Sequence, residues 1–215
     1  MFGGLFGGSE IVIKALRDDN SGIGAKPYSG SSVHPGRRLL RNQILFFSDA
    51  FSRASMDELG PRFVQNLKEC CKDSSSGIGS EWIKKPDLYE FVRDVLFSCN
   101  VDSFFGRNMR KINPTLDKDF WEYDDNISFL ATPKPSWMRP NATKSRDLCH
   151  LAMKKWRQQA VKETASRTSE IAEDAPWDPA WGLPAIRRRN KLFDDTEGLF
   201  DEHNRASTDL SLIWS

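Results

Sequence analysis

Residues 113–159 read NPTLDKDFWEYDDNISFLATPKPSWMRPNATKSRDLCHLAMKKWRQQ, and the punctuation of this stretch decides the fold. Pro114 pre-sets φ for a first helical turn and has no N–H to leave unsatisfied. Leu116, Phe120, Tyr123, Ile127 and Leu130 recur at three- and four-residue spacing, which places them on one helical face. Pro133 and Pro135 end that helix, because the residue before a proline is pushed out of the α region. After Pro140, a second apolar face runs through Leu148, Leu151, Ala152, Trp156 and Ala160. Lys154, Lys155, Arg157 and Gln158 fall mostly on its wet side. The expectation is a helix, a proline-broken connector and a second long helix.

Outward from this stretch the helical signal continues. Residues 10–17 predict a short helix. Residues 18–35 carry Gly22, Gly24, Pro27, Gly30 and Pro35 and predict a surface loop. Residues 36–47 turn basic, then apolar: Arg37, Arg38 and Arg41 precede Ile44, Leu45, Phe46 and Phe47. Met56, Leu59, Phe63, Leu67 and Cys70 or Cys71 give another helical face, with Asp57 and Glu58 early in it, where the helix dipole favours acids. Residues 74–80 predict a Ser/Gly loop. Pro86 opens the most apolar helix, with Leu88, Phe91, Val92, Val95, Leu96 and Cys99 inside and Gly106 closing it. Residues 173–183, broken by Pro176 and Pro179 and carrying Trp177 and Trp181, predict irregular structure. A basic helix is expected at 185–193 and a last one at 202–214, with Leu210, Ile213 and Trp214 apolar. No strand pair or hairpin signal occurs, so the class is all-α, with about six to eight helices by periodicity.

At 215 residues the chain is one domain, or one and a half, with length enough to bury a core. Lys plus Arg (31) nearly cancel Asp plus Glu (30), so no strong field invites nucleic acid or an anionic membrane. Apolar residues make up 39% of the chain and the mean hydropathy is −0.56, on the wet side for a self-sufficient globule. Seven Trp and fourteen Phe do not suit a disordered chain either. Such a composition suits a piece of a larger helical protein.

Four cysteines, two of them adjacent, make no disulfide framework in a chain this long and read as reduced thiols facing the cytosol. Asn126-Ile-Ser and Asn141-Ala-Thr match the glycosylation pattern but lack a secretory context. No run of roughly 18 apolar residues predicts a membrane span. The first eight residues lack the basic start and apolar run of a signal peptide.

The order within 113–159 is an aromatic-acidic helix, a Leu, a Pro-x-Trp-Met-x-Pro connector and an Arg-Asp helix ending Lys-x-Trp. It resembles the F–G region of fungal cytochrome P-450 heme-thiolate monooxygenases. In that alignment residues 37–51 resemble helix C and the loop after it, 86–106 helix E, 113–130 helix F and 139–162 helix G. Residues 209–214, Asp-Leu-Ser-Leu-Ile-Trp, resemble the opening of helix I. The resemblance makes the whole chain one partial domain: 36–110 as helices C to E, 113–162 as F and G, and 184–215 as H and the start of I. It implies heme as cofactor, a small apolar or secondary-metabolite substrate and a reductase as redox partner. Family members are tethered to the endoplasmic reticulum by an N-terminal helix not found here, so the expected place is cytoplasmic or peripheral to that membrane.

The resemblance also implies site residues. Basic side chains of helix C pair with heme propionates, which gives that role to Arg41 by its spacing to Phe46 and Phe47, with Arg37 and Arg38 behind it. The competing reading of all three is a solvated basic helix start, and the usual helix C tryptophan is not found before Arg41. Phe129, Leu130 and Trp137 become candidates for the substrate roof, against a competing reading as packing core. The family's thiolate ligand sits in an F-x-x-G-x-x-x-C-x-G loop late in the chain. Cys70, Cys71, Cys99 and Cys149 do not fit it and read as core packing. The acid–alcohol pair of helix I and the E-x-x-R pair are also expected beyond these residues; Glu202 and Arg205 spell E-x-x-R but precede helix I, so the role is not carried over. No residue is assigned a catalytic or metal-binding role, and the expected product is truncated and inactive alone, lacking the proximal heme-binding half.

The reading from another class is a non-catalytic helical interaction or regulatory module, or a decayed paralogue, associating through exposed apolar helix faces. Other constellations are weaker. Cys149 and His150 with Cys70 and Cys71 lack zinc-site spacing. Glu122, Asp124 and Asp125 read as a solvated face. The glycine pairs before residue 9 lack the Lys-Ser/Thr of a phosphate loop. Arg187, Arg188 and Arg189 read as an exposed basic helix face.

Overall fold

The computed structural model describes residues 2–72, 78, 81–167, 177–196 and 198–214. Its helices are α1 (Phe2–Phe6), α2 (Glu10–Asp18), α3 (Leu39–Ala50), α4 (Arg53–Lys72), α5 (Leu88–Phe105), α6 (Asn108–Ile112), α7 (Leu116–Asp125), α8 (Ile127–Leu130), α9 (Pro140–Ala165), α10 (Pro184–Asp194) and α11 (Glu202–Trp214). Among the described residues no strand forms; Asp178 and Gly182 share one isolated antiparallel bridge. The expected all-α class holds. The expected Ser/Gly loop at 74–80, Ile78 aside, and residues 173–176 lie outside the described residues.

The helix boundaries follow local chemistry. The Ser9 hydroxyl caps α2 by accepting from the Val12 N–H, and the Asp87 carboxylate caps α5 by accepting from the Glu90 N–H at 3.1 Å. Prolines open α9 and α10, where the missing N–H costs nothing. The helix expected to run through 130 breaks at Asn126, whose side-chain amide donates to the Glu122 carbonyl at 2.6 Å and competes with the helical ladder. Four residues of α8 then carry the turn to the connector.

The centre of the core is Trp156 on α9, which is fully buried. Its indole N–H donates to the carbonyls of Phe105, at 3.0 Å, and Ala180, at 2.8 Å. Its ring meets Phe105 and Trp181 edge-on. One side chain therefore ties the end of α5 to the 178–182 turn. Two glycines let these backbones touch. Gly106 and Gly182 both have positive φ, and a Cβ on Gly182 would lie 2.0 Å from the Phe104 carbonyl oxygen.

Around this centre α9 packs against α7 and α11, and α4 packs against α5. The buried stripe of α9 runs through Ala142, Ser145, Cys149, Met153, Trp156 and Ala160. Two expectations on this helix fail. Leu151 is 46% exposed, because at about 100° per residue it falls opposite the buried Cys149 and Met153. Arg157, expected on the wet side, is buried and ion-paired. In α5, Leu88, Val92 and Leu96 are exposed, while Phe97, Cys99, Val101 and Phe105 form the core side, because only the second half of this helix reaches the centre. At the start of the chain, α1 buries Leu5 and Phe6 and contacts α11 and α8. No helix of the described residues is long and apolar enough to cross a membrane.

Candidate functional site

The three roof candidates do not converge. Leu130 is core, 7% exposed, and Phe129 is half-buried against the same cluster. Trp137 is 78% exposed on the turn before α9, where it faces an open groove with Leu148 and Leu151. Of the three, Trp137 alone offers its ring to a visiting molecule in this arrangement.

The helix C arginines divide in the same way. Arg38 is 7% exposed, and its guanidinium is spent on the chain's own loop. It donates to the carbonyls of Gly22, Gly24 and Ala25 at 3.2, 2.7 and 3.0 Å, and to the Ser21 hydroxyl at 3.3 Å. The Asp19 carboxylate, held below its usual range by these hydrogen bonds against the opposing effect of burial, accepts from the Ser21 hydroxyl and the Leu40 N–H. Arg41 donates to the Ile23 carbonyl at 2.8 Å, and Arg37 is exposed. The loop read from 18–35 is thus a surface loop with a buried, hydrogen-bonded base.

The cysteines are free thiols. Cys99 and Cys149 are fully buried, and burial pushes both thiols up, away from the thiolate form that binds iron. Cys70 and Cys71 are half-buried at the end of α4. Among the described residues no group of three or more His, Cys, Asp and Glu could hold a metal ion. The side chains present therefore do not fit heme as a self-sufficient site. They provide no thiolate loop; Arg41, expected at a propionate, gives one donor to the Ile23 carbonyl, and Arg38, expected behind it, is spent on the loop.

Sequence reasoning missed the most built feature of the molecule. Arg157 and Arg189 are both buried, and both pair with the fully buried carboxylate of Asp209, Arg157 at 2.6 Å. Arg157 also donates to the Asn190 side chain. Arg189 was expected on an exposed basic face. Instead it lies 4.8 Å from the Phe46 ring and 5.6 Å from the Phe193 ring. Burial pulls Arg189 down to about 10 against the opposing field of Asp209, so it stays cationic at neutral pH. Its neighbours on the run differ: Arg188 pairs with Asp49, and burial lowers Arg187. A signal existed. Ile186, Arg189 and Phe193 share one helical stripe, as do Met153, Arg157 and Ala160.

Beside this cluster α2, α3, α10 and α11 enclose a pocket of about 190 Å³. Its walls are largely apolar, with Val12, Leu16, Leu39, Phe46, Phe193 and Phe200 among them. Arg189 lines it too, along with the hydroxyl residues Thr208 and Ser211. Phe193 and Phe200 stack at 4.5 Å, closing one side.

Comparison with known proteins finds relatives over part of their length. The chain is 32% identical over 157 residues to the cytochrome P-450 monooxygenase efuG of Hormonema carpetanum, covering 73% of this chain and 27% of that protein. It is 30% identical over 161 residues to the cytochrome P-450 monooxygenase fsoE of Humicola fuscoatra, covering 74% of this chain and 27% of that protein. The chain therefore spans about a quarter of the length of these relatives. No family model and no solved structure matches it.

Proposed function

From a chain that carries a partial cytochrome P-450-like segment, we propose a whole protein that is a heme-dependent monooxygenase of small apolar molecules of the secondary-metabolite kind. The observation that carries this reading is the similarity to two cytochrome P-450 monooxygenases over nearly three quarters of the chain, on an all-α frame. In that protein heme supplies oxygen activation, electrons come from a reductase partner, and the site of action is the cytoplasm or the surface of the endoplasmic reticulum.

Within this proposal the 215 residues contribute binding rather than chemistry. Trp137 and the groove beside it meet the substrate, while Phe129 and Leu130 hold the wall behind the connector. Arg37 and Arg41 keep the propionate-facing role as cations near the start of α3; Arg38 leaves it, because its donors hold the 22–25 backbone. The segment alone is inactive in oxygen activation, since its buried cysteines are held as thiols.

One observation favours the second reading, a non-catalytic interaction module. Leu40, Ile44, Leu45, Phe47 and Phe51 are exposed along α3 and just past its end. In an oxygenase the rest of the domain covers such a face; in a stand-alone module a partner does. Reading the transcript on both sides of these codons separates the two. The oxygenase reading predicts an in-frame F-x-x-G-x-x-x-C-x-G loop and a thiolate-type ferrous–CO spectrum of the full product, with apolar-substrate affinity lowered by Trp137→Ala. A mature transcript without that loop, whose product gives no thiolate spectrum, overturns it in favour of the module.

A further inference from the structure

The apolar pocket between α2, α3, α10 and α11 borders a charge-imbalanced cluster, which reaches its wall through Arg189. Two buried guanidiniums, Arg157 and Arg189, share the single carboxylate of Asp209. The nearby Arg205 does not change the count, because it pairs with Asp194 at 2.6 Å. Among the described residues this cluster therefore holds one net positive charge. Buried charge of this kind is costly unless an anion completes it. A second observation points the same way. The Nε–H of Arg189, a residue only 3% exposed, has no hydrogen-bond partner among the described residues. Arg189 lines the pocket, with its guanidinium against the Phe46 and Phe193 rings that also line it.

We propose that this pocket is a binding site for an apolar monocarboxylic acid, its chain among Val12, Leu39, Phe46 and Phe193 and its carboxylate accepting from the Nε–H of Arg189. The acid would supply the missing negative charge and the missing acceptor together. A neutral apolar molecule would supply neither. The capacity suits a modest ligand: a cavity of roughly 150 Å³ already holds benzene, and this one measures about 190 Å³. Thr208 and Ser211 of α11 line the same space, with their hydroxyls donating to the Asn204 and Thr208 carbonyls, so Arg189 is the donor left for the acid. The proposal does not rest on the oxygenase reading, and the pocket shares no residue with Phe129, Leu130 or Trp137.

The test titrates the purified chain with octanoate and, separately, with octan-1-ol of the same length. Calorimetry gives the affinities and ¹⁵N NMR follows the arginine Nε–H signals. Octanoate should bind at least tenfold more tightly than octan-1-ol, and the Arg189 Nε–H signal should move with octanoate only. Ser211→Phe, which fills the pocket from α11 without touching the ion cluster, should weaken octanoate at least tenfold while the circular dichroism stays native. Equal affinity for acid and alcohol, no octanoate binding, or unchanged binding by Ser211→Phe each overturns the proposal.

Discussion

Replacing Asp209 with Asn probes the ion cluster with almost no change of shape. The carboxylate is fully buried and accepts from Arg157 at 2.6 Å and from Arg189. The amide keeps one acceptor oxygen but removes the only negative charge the two guanidiniums share. Breaking a buried ion pair on one side costs about 3–5 kcal/mol, because an uncompensated charge stays behind. Here two cations stay behind, so the upper half of that range applies. For a chain of this size each kcal/mol moves the melting temperature by about 2–4 °C, so the expected drop is roughly 10 °C or more. Urea unfolding should show the lost stability as a lower midpoint at unchanged slope. The cluster is incompletely satisfied, since the Nε atoms of both Arg157 and Arg189 lack partners. Replacing all three residues together (Arg157→Met, Arg189→Leu, Asp209→Leu) should therefore be far milder, about 3 kcal/mol or more above Asp209→Asn. A loss below about 1 kcal/mol in Asp209→Asn would refute the reasoning.

Acid should weaken the docking of α1. The Nε2–H groups of His150 and His203 donate to the carbonyls of Phe6 and Gly7 at 2.8 and 2.7 Å, and burial pulls His150 down to about 4. Between that value and the unfolded value near 6.5 the unfolded chain binds more protons, so stability falls as pH drops through this window, by about 3 kcal/mol at most. Urea midpoints from pH 7 to pH 4 should show this fall, and His150→Gln should flatten it. Gly182→Ala forces a Cβ onto the Phe104 carbonyl oxygen at positive φ and should cost about 2 kcal/mol or more, read by chemical denaturation. Trp156→Phe strips the donor from two buried carbonyls and should cost about 3 kcal/mol in the same assay. Trp137→Ser, at a side chain 78% exposed, should stay within about 0.5 kcal/mol of the parent.

The helices were legible wherever punctuation and periodicity agreed. Pro140 opens α9, Gly106 closes α5, and the apolar spacing through Tyr123 gives α7. Burial was less legible, because periodicity finds a face without saying how much of it another helix covers. Leu88 and Val92 fit the stripe of α5 yet are exposed, since packing begins at Phe97. The site was least legible. Arg38 is a basic residue in a basic run, and only the fold of 19–26 around it shows that its guanidinium is spent on backbone carbonyls. Arg157, Arg189 and Asp209 stand on three different helices, α9, α10 and α11, and no spacing rule joins residues 52 and 20 positions apart. The one cue was a charged residue on each apolar stripe. A charge there is either an error in the stripe or a buried pair, and the sequence alone weighs toward the solvated face.

The most direct test of the central claim, that this segment serves a heme-thiolate oxygenase without supplying its ligand, is reconstitution of the 215-residue chain with hemin, followed by reduction under carbon monoxide. The buried, protonated Cys99 and Cys149 and the absence of a thiolate loop predict weak heme binding without a thiolate-type absorption band. A thiolate-type band that disappears when one of the four cysteines is changed to serine would contradict the account.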